Sequence, residues 1–85
     1  MSKRFHEGTI GIPVKGSSKM KIVHYWVKAY EEGSDYGING GKISKLLIKI
    51  DGKVVVSYER GWDVEPDTND QDVMVAYSIL LNEYN

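Results

Sequence analysis

The chain has 85 residues, 41% hydrophobic and 27% charged, with a formal net charge of −1. That length suits one domain that buries about 60% of the surface its unfolded chain would expose, and that composition excludes disorder. Cysteine is absent, so disulfide frameworks and thiolate metal sites are excluded and packing alone must hold the fold.

The N-terminal stretch Met1–Ile12 carries Lys3 and Arg4 but no continuous apolar run. It therefore does not read as a signal peptide, and no later run is long enough to span a membrane. Cytoplasmic residence without a membrane partner is the expectation. Glu7 to Val14 alternates weakly and predicts a first strand; Pro13 lacks a backbone donor and places that strand at a sheet edge. Lys15-Gly16-Ser17-Ser18 is a turn. Lys19 to Tyr30, rich in β-branched and aromatic residues, is the second strand. Its row Val23, Tyr25, Val27, Ala29 is assigned to the core and its row Ile22, His24, Trp26, Lys28, Tyr30 to the opposite face. Glu31 to Gly41 holds four glycines and Asn39 and reads as a long connection.

Ile43 to Ile50 and Lys53 to Trp62 are the third and fourth strands, joined around Asp51-Gly52. A plain two-residue turn would set Ile48 opposite Val55 and Leu46 opposite Ser57, apolar row against polar row. A one-residue slip turns every side chain to the other face, so pattern selects register. A three-residue loop, Ile50-Asp51-Gly52, with a left-handed Gly52 restores the match. It pairs Ile48 with Val54, Leu46 with Val56 and Ser44 with Tyr58. The quintet Leu46, Ile48, Val54, Val56 and Tyr58 is then expected to face the core.

An acidic connection, Asp63 to Asp67, precedes a helix. Thr68 and Gln71 match a capping box, and Asp70 and Asp72 suit the positive end of the helix dipole. Val73, Ala76, Tyr77, Leu80, Leu81 and Tyr84 share a face about 140° wide at the helical period. Val75 and Ile79 stand one turn apart on the polar side. No repeat or linker interrupts the chain, so the predicted architecture is α+β. An antiparallel β-meander of about four strands carries one C-terminal amphipathic helix on one face, as a single domain over residues 1–85.

Motifs for chemistry fail on inspection. A calcium loop opening at Asp63 would need glycine at its sixth position and glutamate at its twelfth, which hold Thr68 and Met74. His6 falls in a frayed N-terminus and His24 mid-strand, and two histidines without cysteine do not build a zinc site. Ser57, His24 and Asp63 lack a nucleophile elbow. The glycines of residues 33–41 have no phosphate-loop spacing and precede a strand. No metal or cofactor is implied, and an enzyme ranks behind two binding functions.

Those functions rest on the outer sheet face. Ile22, Trp26, Leu47 and Val55 form an apolar patch suited to a second copy or another protein. Trp26 and Tyr30 with Lys28, Lys45 and Lys49 resemble a stacking platform for single-stranded nucleic acid. A protein interface, homodimeric first, is preferred because the chain is not basic overall. The bland alternative is that the N-terminal segment covers this face. In Arg60-Gly61-Trp62-Asp63, a structural corner is the preferred role: Gly61 bends the chain, Trp62 plugs the gap between sheet and helix, and Arg60 pairs with Asp63. Arg60 and Trp62 are the contact residues if that segment binds.

The charge is split. Residues 1–50 hold nine Lys/Arg against four Asp/Glu, and residues 51–85 two against eight. A bipolar surface would favour self-association or steer a charged partner; local placement of each group is the preferred account.

Two segments, Asp35-Tyr36-Gly37-Ile38-Asn39-Gly40-Gly41-Lys42-Ile43-Ser44-Lys45-Leu46 and Tyr58-Glu59-Arg60-Gly61-Trp62-Asp63-Val64-Glu65-Pro66, resemble those of a family of small uncharacterised proteins. That family is common in Gram-positive bacteria and their phages or prophages. The resemblance spans Tyr25 to the C-terminus. It implies a phage-linked accessory protein and, because the family has no assigned activity, transfers no functional residue.

Overall fold

The computed structural model describes residues 3–13, 16, 18–33, 35 and 37–85. Strand β1 (Lys3–Pro13) pairs with β2 (Met20–Tyr30), and the meander continues through β3 (Ile43–Ile50), β4 (Lys53–Glu59) and β5 (Trp62–Val64) to helix α1 (Gln71–Tyr84). The strands lie in sequence order and every neighbouring pair is antiparallel. The α+β meander with a terminal helix is thus the observed fold, with five strands where about four were expected.

β1 starts at Lys3, well before Glu7, because β2 is long enough to pair every position from Lys3↔Tyr30 to Pro13↔Met20. It is an edge strand, the place its proline demands. Val14, and Lys15 and Ser17 of the expected turn, lie outside the described residues. So do Ser34 and Tyr36 of the connection between β2 and β3.

The extra strand comes from a break in the expected fourth one. Arg60 adopts a left-handed conformation (φ 58°) and reverses the chain. Tyr58 then faces Trp62, and Ser57 faces Val64. The left-handed residue is Arg60, beside the glycine that was expected to supply the bend.

The β3–β4 hairpin corrects the predicted register. Asp51 (φ 53°) and Gly52 (φ 76°) form a two-residue turn, both left-handed, closing on Ile50↔Lys53. The mismatch that argued against this turn is repaired further along by a β-bulge: Lys49 pairs with Val54, but Ile48 pairs with Val56. One extra residue on β4 restores the parity of the two strands. Leu46, Ile48, Val56 and Tyr58 are buried in consequence, whereas Val54 faces out and is 37% exposed.

Val23, Val27 and Ala29 complete the sheet side of the core, together with Ile43 and Ile50. Val73, Ala76, Tyr77 and Leu80 close it from α1, with Leu81 and Tyr84 half-buried at its margin. Each fully buried Val, Leu or Ile stabilises the fold by roughly 1.5–3 kcal/mol relative to exposure. The helix cap is Asp70 instead of Thr68. Asp70 Oδ1 accepts from the Asp72 N–H (3.1 Å) and the Val73 N–H (3.3 Å). Gln71 is the first helical residue, too early to serve as the far end of a capping box. Lys21 donates to Asp72 Oδ2 at 2.9 Å and ties the helix start to β2.

At the other end, Asn85 fastens the β2–β3 connection. Its Oδ1 accepts from the Ile43 N–H (3.0 Å) and its Nδ2 donates to the Ile38 carbonyl (3.1 Å). Ile38, in a single turn of 3₁₀ helix, is 1% exposed. A Cβ at Gly37 would collide with the Gly41 carbonyl, and one at Gly41 with the Asn85 side chain.

Candidate functional site

Alternation along each strand sorts the sheet into two faces. One is filled by α1. The other gathers Phe5, Glu7 and Thr9 of β1, the even-numbered residues of β2, and Lys45, Leu47 and Lys49 of β3. Val54, paired with Lys49, joins them from β4. Val55, expected on this face too, is the unpaired residue of the bulge and is half-buried against the core. The alternative that the N-terminal segment covers this face does not hold for its described strand. β1 lies beside β2 as a fifth ribbon of the same sheet. It pairs edge to edge because β2 offers a complete row of backbone partners.

At the centre, Trp26 pairs with Leu47 across the strands. The His24 and Trp26 rings stack at 6.3 Å between centroids, and Lys49 Nζ stands 5.8 Å from the Trp26 ring centre. Leu47 and Val55 are half-buried. Lys28 pairs with Lys45, and Lys45 reaches Glu59 Oε2 at 3.8 Å across exposed ground. Such a surface pair contributes little to stability.

Four of the residues singled out by sequence, Lys28, Tyr30, Lys45 and Arg60, line one shallow cleft of about 140 Å³ with Ser44 and Glu59. The cleft forms because Ser44 is the extra residue of a second bulge, between Lys28↔Lys45 and Ala29↔Ile43. The Ser44 hydroxyl donates to the Lys28 carbonyl (3.3 Å), and its own carbonyl accepts from the Arg60 N–H (3.1 Å).

Trp62 does not join this group. It lies on the helix side, edge-on to Tyr58 at 4.8 Å and to Tyr77 at 5.9 Å. That is the plug between sheet and helix, 37% exposed at its outer edge. Burial, then the neighbouring Tyr58, raises the Tyr77 pKa above its ordinary value.

Sequence reasoning missed the rim of the outer face. Phe5 (56% exposed), Met20 (54%) and Ile22 (47%) are the most exposed large apolar side chains among the described residues, and only Ile22 was singled out. The signal was present in the alternation of Phe5, Glu7 and Thr9 against His6 and Ile10, read too late in the chain. His6 itself is no frayed residue: it sits in β1 and stacks on Tyr84 at 4.5 Å.

A larger cleft, about 460 Å³, opens past the end of α1 between Tyr30, Glu31, Lys42, Glu83, Tyr84 and His6. Its Tyr84 hydroxyl is held by a hydrogen bond with Tyr25, which with burial and the nearby Tyr25 and Glu83 pushes its pKa up to about 12. No group of three metal-ligating side chains forms among the described residues. No helix among them is long and apolar enough to cross a membrane.

The chain belongs to the family described as Domain of unknown function (DUF7678), whose model matches residues 4–85. That match takes in the first strand, which the resemblance read from sequence did not reach. No curated protein and no solved structure matches the chain.

Proposed function

We propose that the protein is a non-enzymatic interaction module, homodimeric through its outer sheet face and acting as a phage- or prophage-linked accessory protein in the cytoplasm. One observation carries this reading. The described residues place α1 on one face of the sheet only, and the other presents Phe5, Met20, Ile22, Trp26, Leu47 and Val54. Apolar area of that kind, interrupted by lysines, suits a contact surface with a protein. Sedimentation equilibrium at micromolar concentration tests it: a mass near twice 9.6 kDa is expected, and Ile22→Lys should return the chain towards monomer. A strict monomer at every concentration ends the dimer claim.

A second reading, single-stranded nucleic-acid binding, is favoured by the stacked His24–Trp26 pair with Lys49 above it. Stacking on exposed rings beside cations is how such strands are held without sequence preference. Oligonucleotide binding should quench Trp26 fluorescence, weaken with Lys45→Glu and fall with salt. No retention of an oligonucleotide at low salt rules this second reading out.

A further inference from the structure

The free edge of β1 has a definite chemistry, and it follows from hydrogen bonds two strands away. The Tyr30 N–H donates to the Lys42 carbonyl (3.0 Å), and the Lys28 carbonyl accepts from Ser44. Even-numbered residues of β2 therefore aim their backbone groups at β3, and odd-numbered ones at β1. Through the register Val23↔Ile10, Tyr25↔Gly8, Val27↔His6, even-numbered residues of β1 are the ones bonded to β2. The odd-numbered residues Phe5, Glu7, Thr9 and Gly11 aim their N–H and C=O groups away from the sheet. Pro13, also odd, points its donorless nitrogen the same way.

We propose that a second copy of the chain docks on this edge, β1 antiparallel to β1, with Phe5 opposite Gly11 and Glu7 opposite Thr9 about a two-fold axis at Gly8. This rests on the self-association of the reading above, and it moves the contact from stacked sheet faces to the β1 edge and the rim beside it. Three observations select the register. Pairing one step earlier sets Glu7 against Glu7 of the other copy, like charges face to face. Pairing one step later moves the donorless Pro13 from opposite Lys3, at the strand end, to opposite Phe5, and leaves fewer complete pairs. The chosen register sets the Phe5 ring opposite Gly11, whose open side is occupied by the Met20 methyl group, so the ring meets an apolar neighbour.

The same register also joins the apolar rim. Gly11 pairs with Ile22, and the Met20 methyl group leans over Gly11, 2.6 Å from where a Cβ would stand. Phe5 of one copy thus lands against Met20 and Ile22 of the other, and symmetry makes the contact twice. The three most exposed large apolar side chains among the described residues are buried together. The two outer faces become one continuous, wider surface, and Trp26, Lys49 and Leu47 stay open on it. An eleven-residue edge strand is an open template for pairing, and a closed two-fold partner removes that hazard.

The chain contains no cysteine, so the register can be read directly by crosslinking. Directly opposed residues of this type lie about 5.5 Å apart at Cα, within disulfide range. Mixed Glu7→Cys and Thr9→Cys chains should oxidise chiefly to the heterodimer. Dominant Glu7→Cys or Thr9→Cys homodimers, or no crosslink at all, would overturn the register.

Sedimentation separates this edge from stacking of the sheet faces. Thr9→Pro removes an outward donor, and Phe5→Glu, at an exposed position, removes the ring without touching the fold. Each should weaken self-association about tenfold or more, ~1.4 kcal/mol, whereas Leu47→Lys should leave it unchanged. If Leu47→Lys dissociates the dimer and Phe5→Glu does not, the edge proposal fails and self-association through stacked faces stands. A wild-type monomer ends both.

Discussion

Leu46 and Leu47 are neighbours in the chain, yet Leu46 is sealed beneath α1 and Leu47 is half-buried beside Trp26. The same division runs through the whole sheet. The helix side is closed by side chains from every long strand and from α1, and most of them have no exposure to speak of. The outer side mixes Ile22, Trp26, Leu47 and Val54 with Lys28, Lys45 and Lys49. A surface meant only for solvent would not need the first set, and one meant for a core would not carry the second. Closure of one face holds the fold, and incomplete closure of the other leaves area for a partner.

Substitution to alanine on adjacent residues is the most direct way to break this contrast. Leu46→Ala leaves a cavity in a packed interior and should cost about 2–5 kcal/mol in urea unfolding. Leu47→Ala should cost about 1 kcal/mol or less, as surface changes do. Equal losses would mean that both faces are core, and the contact surface would vanish with that result.

The closed face has a rim that depends on one side chain. Asn85 satisfies the Ile43 N–H and the Ile38 carbonyl and fills the space left by Gly41. Asn85→Ala takes the acceptor from the partly buried Ile43 N–H, while the Ile38 carbonyl keeps the Gly41 N–H, a loss of about 1–3 kcal/mol. Amide exchange at Ile43 should accelerate more than exchange at residues on the β1 side of the sheet. If Ile43 stays protected, the connection is held by Ile38 packing alone.

Much of this arrangement was legible in the sequence, for physical reasons that can be named. Period-two alternation in β2 and β3 assigned the faces correctly, and the helical period of Val73, Ala76, Tyr77 and Leu80 found the buried side of α1. What failed was counting across irregularities. The sequence pattern called for one extra residue and put it in the loop Ile50-Asp51-Gly52, pairing Ile48 with Val54 where the structure pairs it with Val56. The preferred Asp-Gly turn kept its own geometry and passed the mismatch on to Val54–Val55. Arg60 gave no warning, because a left-handed residue next to glycine has no side-chain signature. Phe5 was lost for a different reason: whether a terminal segment is ordered depends on its partner strand, and the length of β2 was not weighed against it. The outer-face residues Trp26, Lys28, Lys45, Leu47 and Lys49 were found by alternation, and Trp62 was drawn in only by proximity in sequence.

The start of α1 offers a smaller test of how the lid on the closed face is fixed. Asp70→Ala removes the acceptor for the Asp72 and Val73 N–H groups and should cost about 1 kcal/mol. Thr68→Ala should fall within about 0.5 kcal/mol of wild type. The reverse order would restore the capping box and shift the helix start towards Thr68.

The smallest effect expected is at the seam where the helix end meets β1 and β2, and it appears only at high pH. Tyr84 is held protonated by its hydrogen bond with Tyr25, by burial and by the nearby Tyr25 and Glu83, so its pKa rises to about 12 from the ordinary 10.0. Below pH 10 both folded and unfolded chains keep the proton, and the stability due to this contact is fully present. Above pH 10 the unfolded chain releases it first, so stability declines as pH climbs through about 12. Tyr84→Phe should flatten that decline and remove a phenolate that appears near pH 12 in a near-ultraviolet titration. Tyr77, raised by burial and then by Tyr58, still contributes a decline of its own, so the slope shrinks without disappearing. An unchanged slope in Tyr84→Phe would mean that the seam is open to solvent, and that the closed face ends at Leu80.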